Sequence, residues 1–121
     1  MYKDLALIYE SMGNKTYYHL SAGFNRDKIL REGLTPSIGE FSKVMNEQES
    51  RIYLFGDEDD AENAASNWYG EDFMDLYGED EPINLWEVIL PSDWPLEHEA
   101  FEYTSKLAIP PTNIKLISEN Y

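Results

Sequence analysis

Residues 83–90 read INLWEVIL, with Pro82 before them and Pro91 after. Branched and aromatic side chains fill the run and prolines fence it, so it reads as the strongest β-strand of the chain. One residue breaks the pattern. By period-two alternation Glu87 shares a face with Leu85 and Ile89, and a carboxylate on an apolar face is costly unless paired. Downstream, Pro91 and Pro95 bracket a connection. Residues 101–107 and 113–117 predict two more strands, with Ile109-Pro110-Pro111 as a stiff extended corner between them. Upstream, helices intervene. Asp4 caps a helix carrying Leu5, Ile8, Tyr9 and Met12, stopped by Gly13-Asn14. Residues 16–21 (TYYHLS) read as a strand. Asn25 caps a short helix that Gly33 ends, and Leu34-Thr35-Pro36 leaves it through a turn. Residues 40–50 are polar and carry no clear period. Residues 51–55 (RIYLF) form a second strand. Residues 57–69 predict a helix, with Asp57, Glu58, Asp59 and Asp60 near its positive end. Ala61, Ala64, Ala65 and Trp68 make its apolar stripe, Gly70 is its stop, and residues 71–82 follow as an acidic loop or frayed helix. The order is α-β-α-β-α-β-β-β. Helices come early and strands late, which predicts an α+β domain with a mixed or mostly antiparallel sheet.

The 121 residues fit one domain, with an N-terminal helix over 1–14 and the core over 16–118. At this size folding buries about two thirds of the unfolded surface, and a 42% hydrophobic content supplies a core without staples. The absence of cysteine excludes disulfides, zinc–thiolate sites and thiol nucleophiles, and it fits the cytoplasm. No apolar run approaches a membrane span, and Lys3, Asp4 and Glu10 make the start unlike a signal peptide. His19 and His98 lack ligand spacing, so no metal site is expected. There is no Walker or dinucleotide glycine pattern.

The net charge is −15, and its placement carries more meaning than its size. Residues 1–51 hold seven basic and seven acidic side chains; residues 52–121 hold two basic and seventeen acidic ones. The whole excess therefore lies in the second half. Eleven of these acids fall between Asp57 and Glu81. Such a field repels nucleic acid and anionic membranes, and it attracts basic protein surfaces. Solubility accounts for it in one reading. In another it is a docking face that stands in for DNA phosphates on a nucleic-acid-binding protein of a host, as an inhibitor would.

Three ordered pieces carry a resemblance. The first is Tyr18-His19-Leu20-Ser21, then Ile29 and Glu32-Gly33-Leu34-Thr35-Pro36. The second is Ile52-Tyr53-Leu54-Phe55 followed by an alanine-bearing helix. The third is residues 85–90, then Phe101-Glu102-Tyr103, then Ile109-Pro110-Pro111 with Ile114. Together, over residues 17–117, they resemble the ADP-ribosyltransferase-like fold, including small phage and bacterial proteins of that kind. The resemblance implies transfer of ADP-ribose from NAD, as substrate, to a host macromolecule, in the host cytoplasm for a phage-encoded chain. Breaking the nicotinamide–ribose bond through an oxocarbenium-like state needs a ribose holder, an aromatic wall and a carboxylate near the developing charge. The resemblance offers His19 with Ser21 for the first, Tyr53 with Phe55 for the second, and Glu102 for the third, with Glu87 in reserve. Arg26, on the short helix, would face the pyrophosphate beside Lys28 and Arg31. Each residue also has a plainer reading: a strand histidine, core aromatics, solvated acids and a solvated helix face.

Overall fold

The computed structural model describes residues 13–36, 51–99, 102–119 and 121. The expected helix over 1–14 and the polar stretch 40–50 lie outside the described residues, apart from Gly13 and Asn14. Strands β1 (Asn14–Ala22), β2 (Ile52–Phe55), β3 (Ile83–Pro91), β4 (Glu97–Glu99), β5 (Glu102–Ser105) and β6 (Ile114–Ser118) form one six-stranded sheet. Its order is β4-β5-β2-β1-β3-β6 and every pairing is antiparallel. Helices α1 (Arg26–Glu32), α2 (Glu58–Ser66) and α3 (Trp68–Tyr77) complete the described elements, with short 3-10 turns at Gly23–Asn25 and Pro111–Asn113. This is an α+β architecture.

The INLWEVIL run is the backbone of the sheet. It pairs with β1 over nine consecutive positions, from Asn14 opposite Pro91 to Ala22 opposite Ile83. Alternation then divides the side chains between two cores. Trp86, Val88 and Leu90 join Tyr17, Ile52, Leu54, Leu34 and Ile109 on one side, with Ile29 of α1 packed against them. Leu85 joins Leu20 and Phe55 on the other side, beneath Ala61 and Ala64 of α2. The sheet is therefore covered on both faces, which is why β3, Asn84 and Glu87 apart, is apolar on both sides rather than alternating.

Gly33 closes α1 at φ +80°, and a Cβ there would run into the Ile109 carbonyl oxygen. That close approach lets Leu34 and Ile109 exchange backbone hydrogen bonds of 2.9 and 2.8 Å, so the Ile109-Pro110-Pro111 corner is tied to the end of α1.

The helical segment after β2 differs from expectation. It runs as two helices: α2 ends at Asn67, and α3 continues to Tyr77 through the stretch expected to be a loop. Asn67 makes the break, at φ −124° and ψ −111°, with Nδ2 donating to the Asn63 carbonyl and its own carbonyl accepting from Glu71 N–H. Gly70 lies inside α3 and does not stop a helix; a side chain there would strike the Ala65 carbonyl, so its smallness allows α3 to cross α2 closely. The connection after Pro95 contains an extra short strand, β4, and the strand expected over 101–107 is confined to β5. Among the described residues no helix is long and apolar enough to cross a membrane.

Candidate functional site

His19, Tyr53 and Glu102 stand on β1, β2 and β5, three neighbouring strands. The junction between β1 and β2 differs from the other joins. Those strands meet at one pair, Tyr18 opposite Phe55, whereas β1 and β3 stay in register throughout. Beyond Tyr18 the ladder opens, and the His19 ring enters the notch. Its Nδ1 lies 2.8 Å from the Tyr53 carbonyl oxygen. A carbonyl has no hydrogen to give, so Nδ1 carries the proton and Nε2 keeps its lone pair. Burial pushes the imidazole pKa below its ordinary value, and the carbonyl contact opposes this in part. The result is a neutral, oriented imidazole.

Tyr53, Phe55 and Glu102 share the opposite face of the sheet from His19. Leu54, between the two aromatics, belongs to the first core and Phe55 to the second. Glu102 is directly opposite Phe55, and Thr104 is opposite Tyr53. Residues directly opposite in a ladder share a face, and diagonal neighbours lie about 7–8 Å apart, so Tyr53 and Glu102 are within reach of each other. Both are partly exposed. Phe55 is buried and packs its ring 6.4 Å from that of Trp68, so it supports the face rather than lining it.

The two carboxylates weighed for the same role fall in one row. Glu102, Phe55, Tyr18, Glu87 and Lys115 follow one another across β5, β2, β1, β3 and β6. Three strand spacings separate Glu102 from Glu87, about 14 Å, so they are alternatives and not a pair. Glu87 is partly buried between Tyr18 and Lys115. Burial first, and then the charges of Glu87, Glu58 and Asp57, hold the Tyr18 phenol above its usual pKa.

Ser21 is buried, and its Oγ accepts a 2.8 Å hydrogen bond from Trp86 Nε1–H. It faces into the first core beside His19. Arg26 lies elsewhere. Its guanidinium reaches Glu119 at 2.6 Å and Asp27 at 3.2 Å, and these carboxylates raise its pKa. Arg31 lies 3.8 Å from Glu32. The structure thus puts the side chains of His19 and Ser21 on one face of the sheet and those of Tyr53 and Glu102 on the other, joined only where His19 meets the Tyr53 backbone carbonyl, while Arg26 is held at the end of β6.

Two residues that the sequence did not single out are on the same face as His19, across β1 from the opening: Trp86, opposite His19, and Asn84, opposite Ser21. An amide within an otherwise apolar strand was the available signal for Asn84. Among the described residues no group of three or more His, Cys, Asp or Glu side chains gathers as a metal ion would need. No protein family, curated protein or solved structure matches the chain.

Proposed function

We propose that this chain is an ADP-ribosyltransferase-like protein that takes NAD as substrate at the opening between β1 and β2. The observation that supports this most is the meeting of His19 and Tyr53 there, through the Nδ1–carbonyl bond, with Glu102 on the adjoining strand. In this reading His19, from the opposite face, holds the Tyr53 backbone in place through its Nδ1–carbonyl bond. The Tyr53 ring stacks on the nicotinamide, and Glu102 stabilises positive charge at the ribose carbon. The nicotinamide–ribose bond breaks with its electron pair leaving on nicotinamide. An oxygen or nitrogen of the acceptor then bonds to that carbon, and its proton passes to Glu102 and on to water. Arg26, already occupied by two carboxylates, supplies little net charge to a pyrophosphate.

Calorimetric titration of NAD into wild type and His19→Ala tests the reading. Micromolar binding that the substitution abolishes supports it; no heat at millimolar NAD would sink it.

A second reading has its own observation. Among the described residues no basic side chain forms an ion pair with any acid between Asp57 and Glu81, and most of these acids are exposed. A basic surface of a host nucleic-acid-binding protein is the complement of such a face. Charge reversal at Asp59, Asp60, Asp72 and Asp75 would then weaken capture of a basic partner steeply and salt-dependently, while His19→Ala would not.

A further inference from the structure

An aromatic row runs along α3 from the core to the surface. Tyr69, Phe73 and Tyr77 recur every four residues and so share a side of the helix. Their rings follow one another at centroid distances of 6.1 and 4.8 Å. Phe73 is buried and Tyr77 is partly exposed. The next ring is Phe24, in the 3-10 turn after β1, 5.2 Å from Tyr77. Phe24 is 59% exposed, and Met74, three residues before Tyr77 on α3, is 50% exposed. The turn is fastened in place: the Phe24 N–H donates to Glu81 Oε1 at 2.9 Å, and the Gly23 N–H donates to the Pro82 carbonyl at 2.8 Å. A scattered exposed apolar side chain is ordinary. An aromatic ring and a methionine beside one tyrosine, on a fixed backbone, are the composition of a binding hot spot.

The rim decides what would cover these side chains. Glu81 places its carboxylate at the Phe24 N–H, Glu71 lies one turn before Met74, and Asp75, Glu79 and Asp80 follow on the same segment. Arg26, on the α1 side, is held by Glu119 and Asp27, and Lys28 lies further along α1. A second copy of the chain would bring another −15 and the same acidic rim, so like charge opposes self-association. A turn and a helix face offer no strand edge, so an extended peptide could not add by main-chain hydrogen bonds. The complement is a helix with an apolar stripe flanked by Lys and Arg. We propose that Phe24, Met74 and Tyr77 anchor a docking surface for a basic amphipathic helix of a protein partner. This assignment rests on the basic-partner reading above and gives it a centre: the acids attract the partner, and the three apolar side chains hold it in one orientation.

The test is calorimetry on the full chain with two synthetic Leu/Lys peptides of the same composition: one sequence puts its leucines on one helix face, and the other scatters them. Wild type should bind the amphipathic peptide about tenfold or more tighter than the scattered one, the size of one well-filled apolar contact. Phe24→Ala and Met74→Ser should each remove most of that preference and leave the weaker, salt-dependent binding common to both peptides. Their ligand-free Tm should change little, because both side chains are largely exposed. Leu30→Ser, at an exposed apolar residue of α1, should keep the preference. Equal binding of the two peptides by wild type, or a preference that survives Phe24→Ala, overturns the assignment and leaves the basic-partner reading standing. If neither peptide binds at low salt, both fall. If wild type sediments as a dimer and Phe24→Ala as a monomer, a second copy covers the patch and the assignment is overturned. Should a substitution unfold the chain or lower its Tm steeply, the Met74 methyl resonance of wild type decides: it should move with the amphipathic peptide more than with the scattered one, and equal movement overturns the assignment.

Discussion

Three residues on one face of β1 and β3 show how closely stability and a candidate site can be interwoven. Trp86 is fully buried, and its indole N–H depends on Ser21 Oγ. Ser21→Ala leaves that donor buried and unpaired, so we expect a loss of about 1–3 kcal/mol in chemical denaturation, whatever Ser21 does for a ligand. Beside it, the desolvated imidazole of His19 has a pKa below the ordinary 6.5. The neutral form is thus favoured in the fold. The stability this contributes is complete above the unfolded pKa, and it is lost as pH falls through the depressed folded value. Acidification also relieves the net charge of −15, so wild-type melts alone would mix two opposing trends. The difference between wild type and His19→Gln isolates the histidine: the wild-type advantage should shrink from pH 7 toward pH 5. An imidazole midpoint above 6.5 by NMR would contradict the sign.

Among the elements, local chemistry accounts for what could be read from sequence, and tertiary contact accounts for what could not. The runs at 16–21, 51–55, 83–90 and 113–117 carry their own period and all became strands. Asp57 was legible only as one of four acids near the positive end of a helix; in the structure it is the cap, and its Oδ1 accepts from Asp60 N–H at 2.8 Å. Asp57→Ala should cost about 1 kcal/mol, seen as a lower midpoint in urea with an unchanged slope. The helix boundary at 67–70 was misread because glycine has two uses. Gly70 suits a helix end, yet here it serves a close crossing with the Ala65 carbonyl, and only the packed structure tells the uses apart. β4 escaped because three residues hold too little period; ion pairs of Glu97 with Arg51 at 2.7 Å and Lys106 at 3.3 Å fasten it. At the candidate site, His19, Tyr53 and Glu102 were legible as residue types on strands. The order of those strands and the opening beyond Tyr18 were not, because each depends on pairing between segments far apart in sequence. Gly33 illustrates the same coupling. Gly33→Ala combines left-handed strain with a clash on the Ile109 carbonyl, so it should cost more than the roughly 1 kcal/mol of backbone strain alone. Ala substituted at exposed Gly78, where φ is +89° but no atom lies nearby, should cost only the strain; comparing the two Tm values separates the terms.

At the scale of the whole molecule the governing fact is uncompensated charge. The described ion pairs fasten Arg26, Arg31, Arg51 and Lys106 to acids outside α2 and α3. The eleven acids from Asp57 to Glu81, on α2, on α3 and in the segments that flank them, therefore repel one another. Such repulsion acts over a Debye length, about 10 Å at 0.1 M salt, and should fade as salt is added. We expect Tm to rise between low and moderate sodium chloride. Each 1 kcal/mol of relief would be worth roughly 4 °C in a chain of this size. Neutralising Asp59, Asp60, Asp72 and Asp75 to Asn should raise Tm at low salt and do little at high salt, where the repulsion is already screened. A Tm that falls with salt would mean that the few exposed ion pairs outweigh the repulsion and would refute this account. The same four residues carry the second functional reading, so the experiment reaches beyond stability. Residues kept for binding often cost the fold something. A quadruple variant that gains stability at low salt and loses a basic partner would place both effects on one surface. A variant that gains stability and keeps every activity would leave the charge as a solubility feature.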